Sequence, residues 1–210
     1  MNSVDFSASK SSLPWLSAWI VRKRIAISLV AFSVLIAFNL LGRHTVPLSP
    51  TDLANPWAAA GVALVVCGVL IRSWAAGTLH KNGELTQAGP YAMVRNPLYL
   101  GSFLMMFGFC ILMRDPLSAI FVAGPMLLLY RSKIISEEAN LSLWFPDQWE
   151  SYARTTPRII PRLPSRRVMH GWSFRMWLNN REYRAVVGTA IGLIAIHFLA
   201  AMAVSMSSHS

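Results

Sequence analysis

Two polar segments stand out in a chain otherwise dominated by apolar runs. The first, His80 to Gly101, contains GPYAMVRNPLYLG from Gly89 to Gly101. Pro90 and Pro97 fix their own φ and push Gly89 and Asn96 away from helical geometry, so this loop holds a definite shape. Gly83 and Gly89 allow positive φ or close approach of the backbone to a ligand. Tyr91, Arg95, Asn96 and Tyr99 place donors, acceptors and flat apolar faces around it. Two readings stand side by side: an interhelical turn with interfacial tyrosines and a lipid-facing arginine, or a binding site.

The second segment is RSKIISEEANLSLWF, Arg131 to Phe145. Lys133 and Glu137 are four apart, hence on one helical face, which Leu141 and Trp144 continue, while Glu138 points elsewhere. A surface ion pair is one reading, although lysine placed N-terminal to glutamate is the weaker order for a helix. The other is a carboxylate set where a helix leaves the membrane, suited to a ligand's hydroxyl groups or positive charge.

The elements around these segments follow from composition. The chain has 210 residues, 54% hydrophobic and 13% charged, with a mean hydropathy of +0.45. That apolar content exceeds what a soluble domain of this size buries and predicts a membrane protein. Apolar runs fall at Ile25 to Gly42, Trp57 to Leu79, Leu98 to Met113, Pro116 to Tyr130 and Ala185 to Val204. The third and fourth are short of the roughly 20 residues that cross a bilayer comfortably and are joined by Arg114-Asp115, which predicts a helical hairpin sheltered by longer spans. Gly124-Pro125 predicts a kink in its second arm, which runs on into water past Tyr130. The expected fold is an all-α, multi-pass membrane bundle of about five transmembrane helices, with a helical hairpin and cytoplasmic cap helices.

A pI near 10.5 and a net charge of +10 are read against these spans and not as a nucleic-acid surface. Sixteen of the nineteen lysines and arginines fall in the amino terminus and the two large loops, against Arg43 and Arg114 on the other side and Arg72 in a span. The positive-inside rule therefore places the amino terminus and both polar segments in the cytoplasm. Arg72 reads as a snorkelling side chain near its span's end. The polar first 14 residues, with no small-residue cleavage site following, read as preceding a retained span. Cys67 and Cys110 read as small buried hydrophobes, and the five histidines have no metal-ligand spacing. Pro161 to Arg184, with five arginines ahead of Arg184 and apolar Trp172, Phe174, Met176, Trp177 and Leu178, reads as a basic interfacial anchor.

LTQAGPYAMVRNPLYLG, followed one hairpin later by EEANL…F…WESYARTTPRIIP, resembles the isoprenylcysteine carboxyl methyltransferase family, an integral-membrane group that includes phospholipid N-methyltransferases. The resemblance makes residues 72–161 a methyltransferase-like core within a single domain, followed by the basic segment 162–184 and a last transmembrane helix at 185–204. It implies S-adenosylmethionine as cofactor, held by Gly83, Glu84, Leu85, Thr86, Tyr91, Asn96, Pro97, Leu98 and Tyr99, with Glu137 taking its polar end. Lys133 would face the methyl acceptor and, with Arg95, is a catalytic candidate; Tyr152, Pro157 and Pro161 would pack the cap. The acceptor would be lipophilic: a prenylcysteine-like carboxylate, an amino-lipid, or a small isoprenoid or phenolic compound. Two positions depart from the pattern. Asn96 stands where histidine is usual, and Lys133 where arginine is common, which removes a bidentate grip on a carboxylate. A membrane sterol-type reductase using NADPH, its 2′-phosphate on Arg154, Arg158 and Arg162, and a non-catalytic lipid-binding protein are the alternatives.

Overall fold

The computed structural model describes Val34, Phe38 and residues 45–80, 84–162 and 171–207. Apart from Val34 and Phe38 the expected first span lies outside these, as do residues 81–83, Gly83 among them, and 163–170. Among the described residues the chain is helical, without strands. Helix α1 is Pro56–Thr78, α2 Pro97–Leu112, α3 Pro116–Trp144, α4 Pro146–Thr155, α5 Phe174–Asn179 and α6 Tyr183–Ser207. Helices α1, α3 and α6 are each long and apolar enough to cross a membrane. The 16 residues of α2 span only about 24 Å, short of a hydrocarbon core of about 30 Å.

Prolines and side-chain caps set the starts. Asn55 Oδ1 accepts from the backbone of Trp57 and Ala58, with Pro56 opening α1. Asp115 caps α3 in the same way ahead of Pro116, and Arg114 turns the hairpin with φ of 51°. Around Pro125 the helix widens into a π-helical turn, Val122–Met126, and then continues. The extra residue accommodates a ring that would clash with the preceding turn, and this is the form taken by the expected kink.

Helices α1 and α2 run antiparallel with their backbones close together. Gly61 and Gly68 face Gly108 and Gly101, glycines seven apart on both helices. A Cβ on Gly68 would stand 2.5 Å from the Gly101 carbonyl oxygen, and one on Gly108 would stand 2.6 Å from that of Gly61. Van der Waals packing of small residues joins helices where lipid competes with any apolar contact. One buried cluster comprises Ala58, Val65, Leu112, Met113 and Ile196, and another Phe103, Cys110, Val122 and Met126. Outside these, Leu70, Ile120, Leu128, Ile191 and Phe198 point outward, as they must when the solvent is hydrocarbon. Cys67 is among the exposed residues of α1; this corrects the expectation that it is buried, because half of a span's circumference faces lipid.

Gly101→Ala should lower stability by about 1–3 kcal/mol, because the methyl group would meet the Gly68 carbonyl oxygen and the Arg72 side chain. Gly124→Ala, with no neighbour within 4 Å, should be neutral or slightly stabilising. Thermal unfolding of both variants in one detergent checks the contrast.

Candidate functional site

The first turn of α2 and the outer half of α3 meet where the helices leave their apolar stretches. Tyr99 donates from its hydroxyl to Glu137 Oε1 at 3.0 Å. Lys133 Nζ lies 2.9 Å from the same oxygen, one turn away on α3. The ring of Tyr99 meets that of Tyr130 edge to face at 5.3 Å, and Tyr130 also contacts Phe103. The helical spacing of Lys133 and Glu137, and their meeting with Tyr99, are as the sequence leads one to expect.

Glu138 does point elsewhere, into the protein. It is buried, at 7% exposure. Arg158 donates to it through Nε and Nη2, the closest contact being 2.7 Å, and Asn96 Nδ2 donates to its Oε1 at 3.1 Å. Arg95 Nε lies 3.6 Å from the same carboxylate, and its guanidinium stands over the ring of Trp149. Asn96 Nδ2 also donates to the Arg158 carbonyl, the Arg95 amide to the Pro157 carbonyl, and the Tyr152 hydroxyl to the Tyr91 carbonyl. The loop, α3 and the tail after α4 are thereby tied together around one carboxylate. Sequence reasoning missed Glu138; the available signal was its spacing of four from Ile134, a fully buried residue of α3.

Among the described residues two buried side-chain polar atoms have no hydrogen-bond partner, the Tyr91 hydroxyl and Arg95 Nε, both in this loop. Such atoms are uncommon in folded proteins and call for an explanation. Burial first, then the neighbouring Tyr152 and Glu137, holds the Tyr91 hydroxyl well above the usual tyrosine range. Burial does the same for Tyr152, partly offset by Arg95. The hydrogen bonds to Glu138 raise Arg158.

Glu84, Leu85 and Thr86 line a separate half-open cavity of about 290 Å³ with Thr78, His80, Gln87, Ala88 and Gly171. Its floor is fixed by the His80 amide donating to Thr86 Oγ1 at 3.1 Å, and by Gly89, whose φ of 59° lets it lie against Thr78. Pro97 opens α2, and the Leu98 carbonyl accepts from Arg72 Nη1 at 3.3 Å. Arg72 does not snorkel. Its Nε and Nη2 donate to the two oxygens of buried Glu182 at 2.8 and 2.9 Å, and this correction follows from an acid that the sequence places 110 residues away. Each of the three arginines weighed for a 2′-phosphate has a partner within the protein: Arg154 pairs with Glu150, Arg158 with Glu138, and Arg162 donates to the Thr155 carbonyl. Among the described residues no three His, Cys, Asp or Glu side chains are placed to hold a metal ion.

A family profile described as phospholipid methyltransferase matches residues 57–148, which contain the loop, the hairpin and both glutamates. The nickel-cobalt-cadmium resistance protein NccN of Alcaligenes xylosoxydans xylosoxydans is 31% identical over 150 residues, covering 70% of this chain and 69% of that protein. The chain belongs to the phospholipid methyltransferase family. Also similar are the cobalt-zinc-cadmium resistance protein CzcN of Cupriavidus metallidurans, 29% identical over 75% of this chain and 73% of that protein, and the protein-S-isoprenylcysteine O-methyltransferase of Schizosaccharomyces pombe. The last is 30% identical over 49% of this chain and 43% of that enzyme. No solved structure matches. The resemblance drawn from the two motifs is borne out, and the family places this chain among membrane methyltransferases.

Raised pKa values for Tyr91 and Tyr152 mean that folding favours their protonated forms. Their contribution to stability is complete below the ordinary tyrosine pKa of about 10 and declines as pH rises beyond it. Absorbance titration near 295 nm should show both ionising only when the protein unfolds, identified by the amplitude lost in Tyr91→Phe and Tyr152→Phe.

Proposed function

We propose that this protein is an S-adenosylmethionine-dependent methyltransferase that acts at the cytoplasmic boundary of a membrane on a lipophilic acceptor. The observation that carries this reading is the meeting of Tyr99, Glu137 and Lys133 across the hairpin, beside a loop in which the buried Tyr91 hydroxyl has no hydrogen-bond partner among the described residues. When bound, S-adenosylmethionine supplies an electrophilic methyl group on a positively charged sulfur, so alignment is the protein's main task and no acid–base dyad is needed.

The donor set fits such a cofactor. Tyr99 and Lys133 both engage Glu137 Oε1, which leaves Oε2 for a ligand's ammonium group. The buried Tyr91 hydroxyl, without a hydrogen-bond partner among the described residues, would gain one from a bound ligand. The cavity along Glu84 to Ala88 is near the lower end of the range for small-molecule sites, about 300 Å³, and extends the site along the same loop. Lys133, half-exposed, offers a single positive point to an acceptor's developing or resting negative charge. Tyr99, Tyr130 and Phe103 give the acceptor's apolar body an aromatic wall where α2 and α3 leave the bilayer. Arg95, turned toward Glu138 and Trp149, holds the loop's shape beside the site. Asn96 spends its side-chain hydrogen bonds on Glu138 of α3 and on the Arg158 carbonyl of the tail, so here it positions the loop, at the place where the family resemblance puts a histidine.

Calorimetry of the full chain in lipid nanodiscs should detect binding of S-adenosylmethionine and S-adenosylhomocysteine and none of NADPH. Glu137→Ala should weaken S-adenosylhomocysteine about 10- to 100-fold, the loss of a charged hydrogen bond, with melting temperature unchanged. Lys133→Ala should change that affinity less than about threefold, within the small effect of an exposed pair. It should nevertheless lower label transfer from methyl-labelled S-adenosylmethionine into a lipid extract. Unchanged affinity in Glu137→Ala, or binding of NADPH alone, would overturn the assignment.

A further inference from the structure

The segment from Gly171 to Glu182 and the helix it leads into lie outside the matched residues 57–148, yet they grip the elements that carry the site. The end of α1 leaves carbonyl oxygens without helical partners, and this segment supplies the donors. Asn180 Nδ2 donates to the Ala76 carbonyl at 2.8 Å and to the Leu79 carbonyl at 3.0 Å, and the Ser173 amide donates to the Gly77 carbonyl at 2.8 Å. The Trp172 indole occupies the space that a side chain on Gly77 would need, and its Nε1 donates to the Ser73 carbonyl. Arg181 adopts φ of 56°, a left-handed conformation unfavourable for a non-glycine residue, immediately before Glu182. The chain holds this turn where Glu182 is delivered inward, 4% exposed, to the guanidinium of Arg72.

Arg72 is a bridge. Two of its nitrogens bind Glu182. The third, Nη1, donates to Ser102 Oγ at 2.6 Å and to the Leu98 carbonyl, and Ser102 Oγ donates to the same carbonyl at 2.8 Å. Leu98 directly precedes Tyr99. Gly101 leaves the room in which the Arg72 side chain lies against α2. The Tyr91 hydroxyl is close enough to feel the charges of Glu137 on one hand and of Arg72 and Glu182 on the other. A partly buried guanidinium left without an acceptor does not stay in place, since its unmatched donors seek water or another partner.

We infer that Arg72 and Glu182 are positioning residues through which the carboxy-terminal helix sets the first turn of α2, and with it the place of Tyr99 opposite Glu137. Neither touches the ligand. The pair fixes the geometry of a site whose cofactor is that of the function proposed above, on which this inference rests. A structural strap would add stability alone; a positioning pair changes what the site binds.

The test uses the full chain in nanodiscs, with 3-fluorotyrosine incorporated at position 99, and reads the ¹⁹F resonance, S-adenosylhomocysteine affinity and melting temperature together. Glu182→Ala and Arg72→Ala should each shift the Tyr99 resonance and weaken S-adenosylhomocysteine by about tenfold or more, as misplacement by a fraction of an ångström does. Glu182→Gln, which keeps an acceptor for the guanidinium, should stay within about threefold of the parent. Glu182→Asp, which withdraws the carboxylate by one methylene, should fall between. A lowered melting temperature with unchanged resonance and affinity would overturn the proposal. Should Glu182→Ala fail to fold, the Asp and Gln variants decide, an unshifted resonance in both counting against it. If the parent binds no S-adenosylhomocysteine, the proposed function falls, while the resonance still reports whether the pair positions Tyr99.

Discussion

The carboxylate of Glu138 is the constraint on which the rest of the site depends. A buried negative charge is tolerable only when it is paired and fully hydrogen-bonded, and here the partners come from two separate stretches: Asn96 and Arg95 from the loop, and Arg158 from the tail beyond α4. Satisfying that one group brings loop, helix and tail together. Its neighbour Glu137, rotated by about 100° around the same helix, is thereby aimed at Tyr99 on the adjacent helix. Two consecutive glutamates thus divide the work, one holding the architecture and the other facing Tyr99 and Lys133, where the proposed function puts a ligand.

The membrane explains why this division is needed. In hydrocarbon, apolar contact between helices gains little, so the scaffold relies on glycine-mediated approach of α1 and α2 and on a few buried polar bridges. Arg72 with Glu182 is one bridge and the Glu138 cluster another. Both stand at the end of the bundle where α1 closes and α2 opens, the end that carries the long loop. On the proposed function, concentrating the polar chemistry there lets a site at the water boundary admit a charged cofactor from one solvent and a lipophilic acceptor from the other.

Much of this was legible in the sequence where it depends on local rules. Apolar run lengths gave the helices after residue 45, proline and side-chain caps gave their starts, and spacing by four put Lys133 beside Glu137. The long-range pairings were not legible. Nothing in local pattern says that Arg72 seeks Glu182, although Glu182 is the only acid after Glu150 and so the natural partner for a buried cation. The burial of Glu138 was hidden for a related reason: two adjacent glutamates look alike until the surroundings of the helix are known. Cys67 and the π-helical turn at Pro125 show the same limit, since lipid exposure and ring accommodation depend on neighbours that one element does not reveal.

The central claim is that Tyr99 and Glu137, with the loop around Tyr91, enclose one nucleoside-bearing ligand. Electron cryo-microscopy of the full chain in nanodiscs with S-adenosylhomocysteine tests it most directly. The account predicts ligand density bounded by the Glu137 carboxylate and the Tyr91 hydroxyl, with Tyr99 alongside. Density elsewhere in the protein, or Tyr99 and Glu137 separated by solid protein, would contradict it.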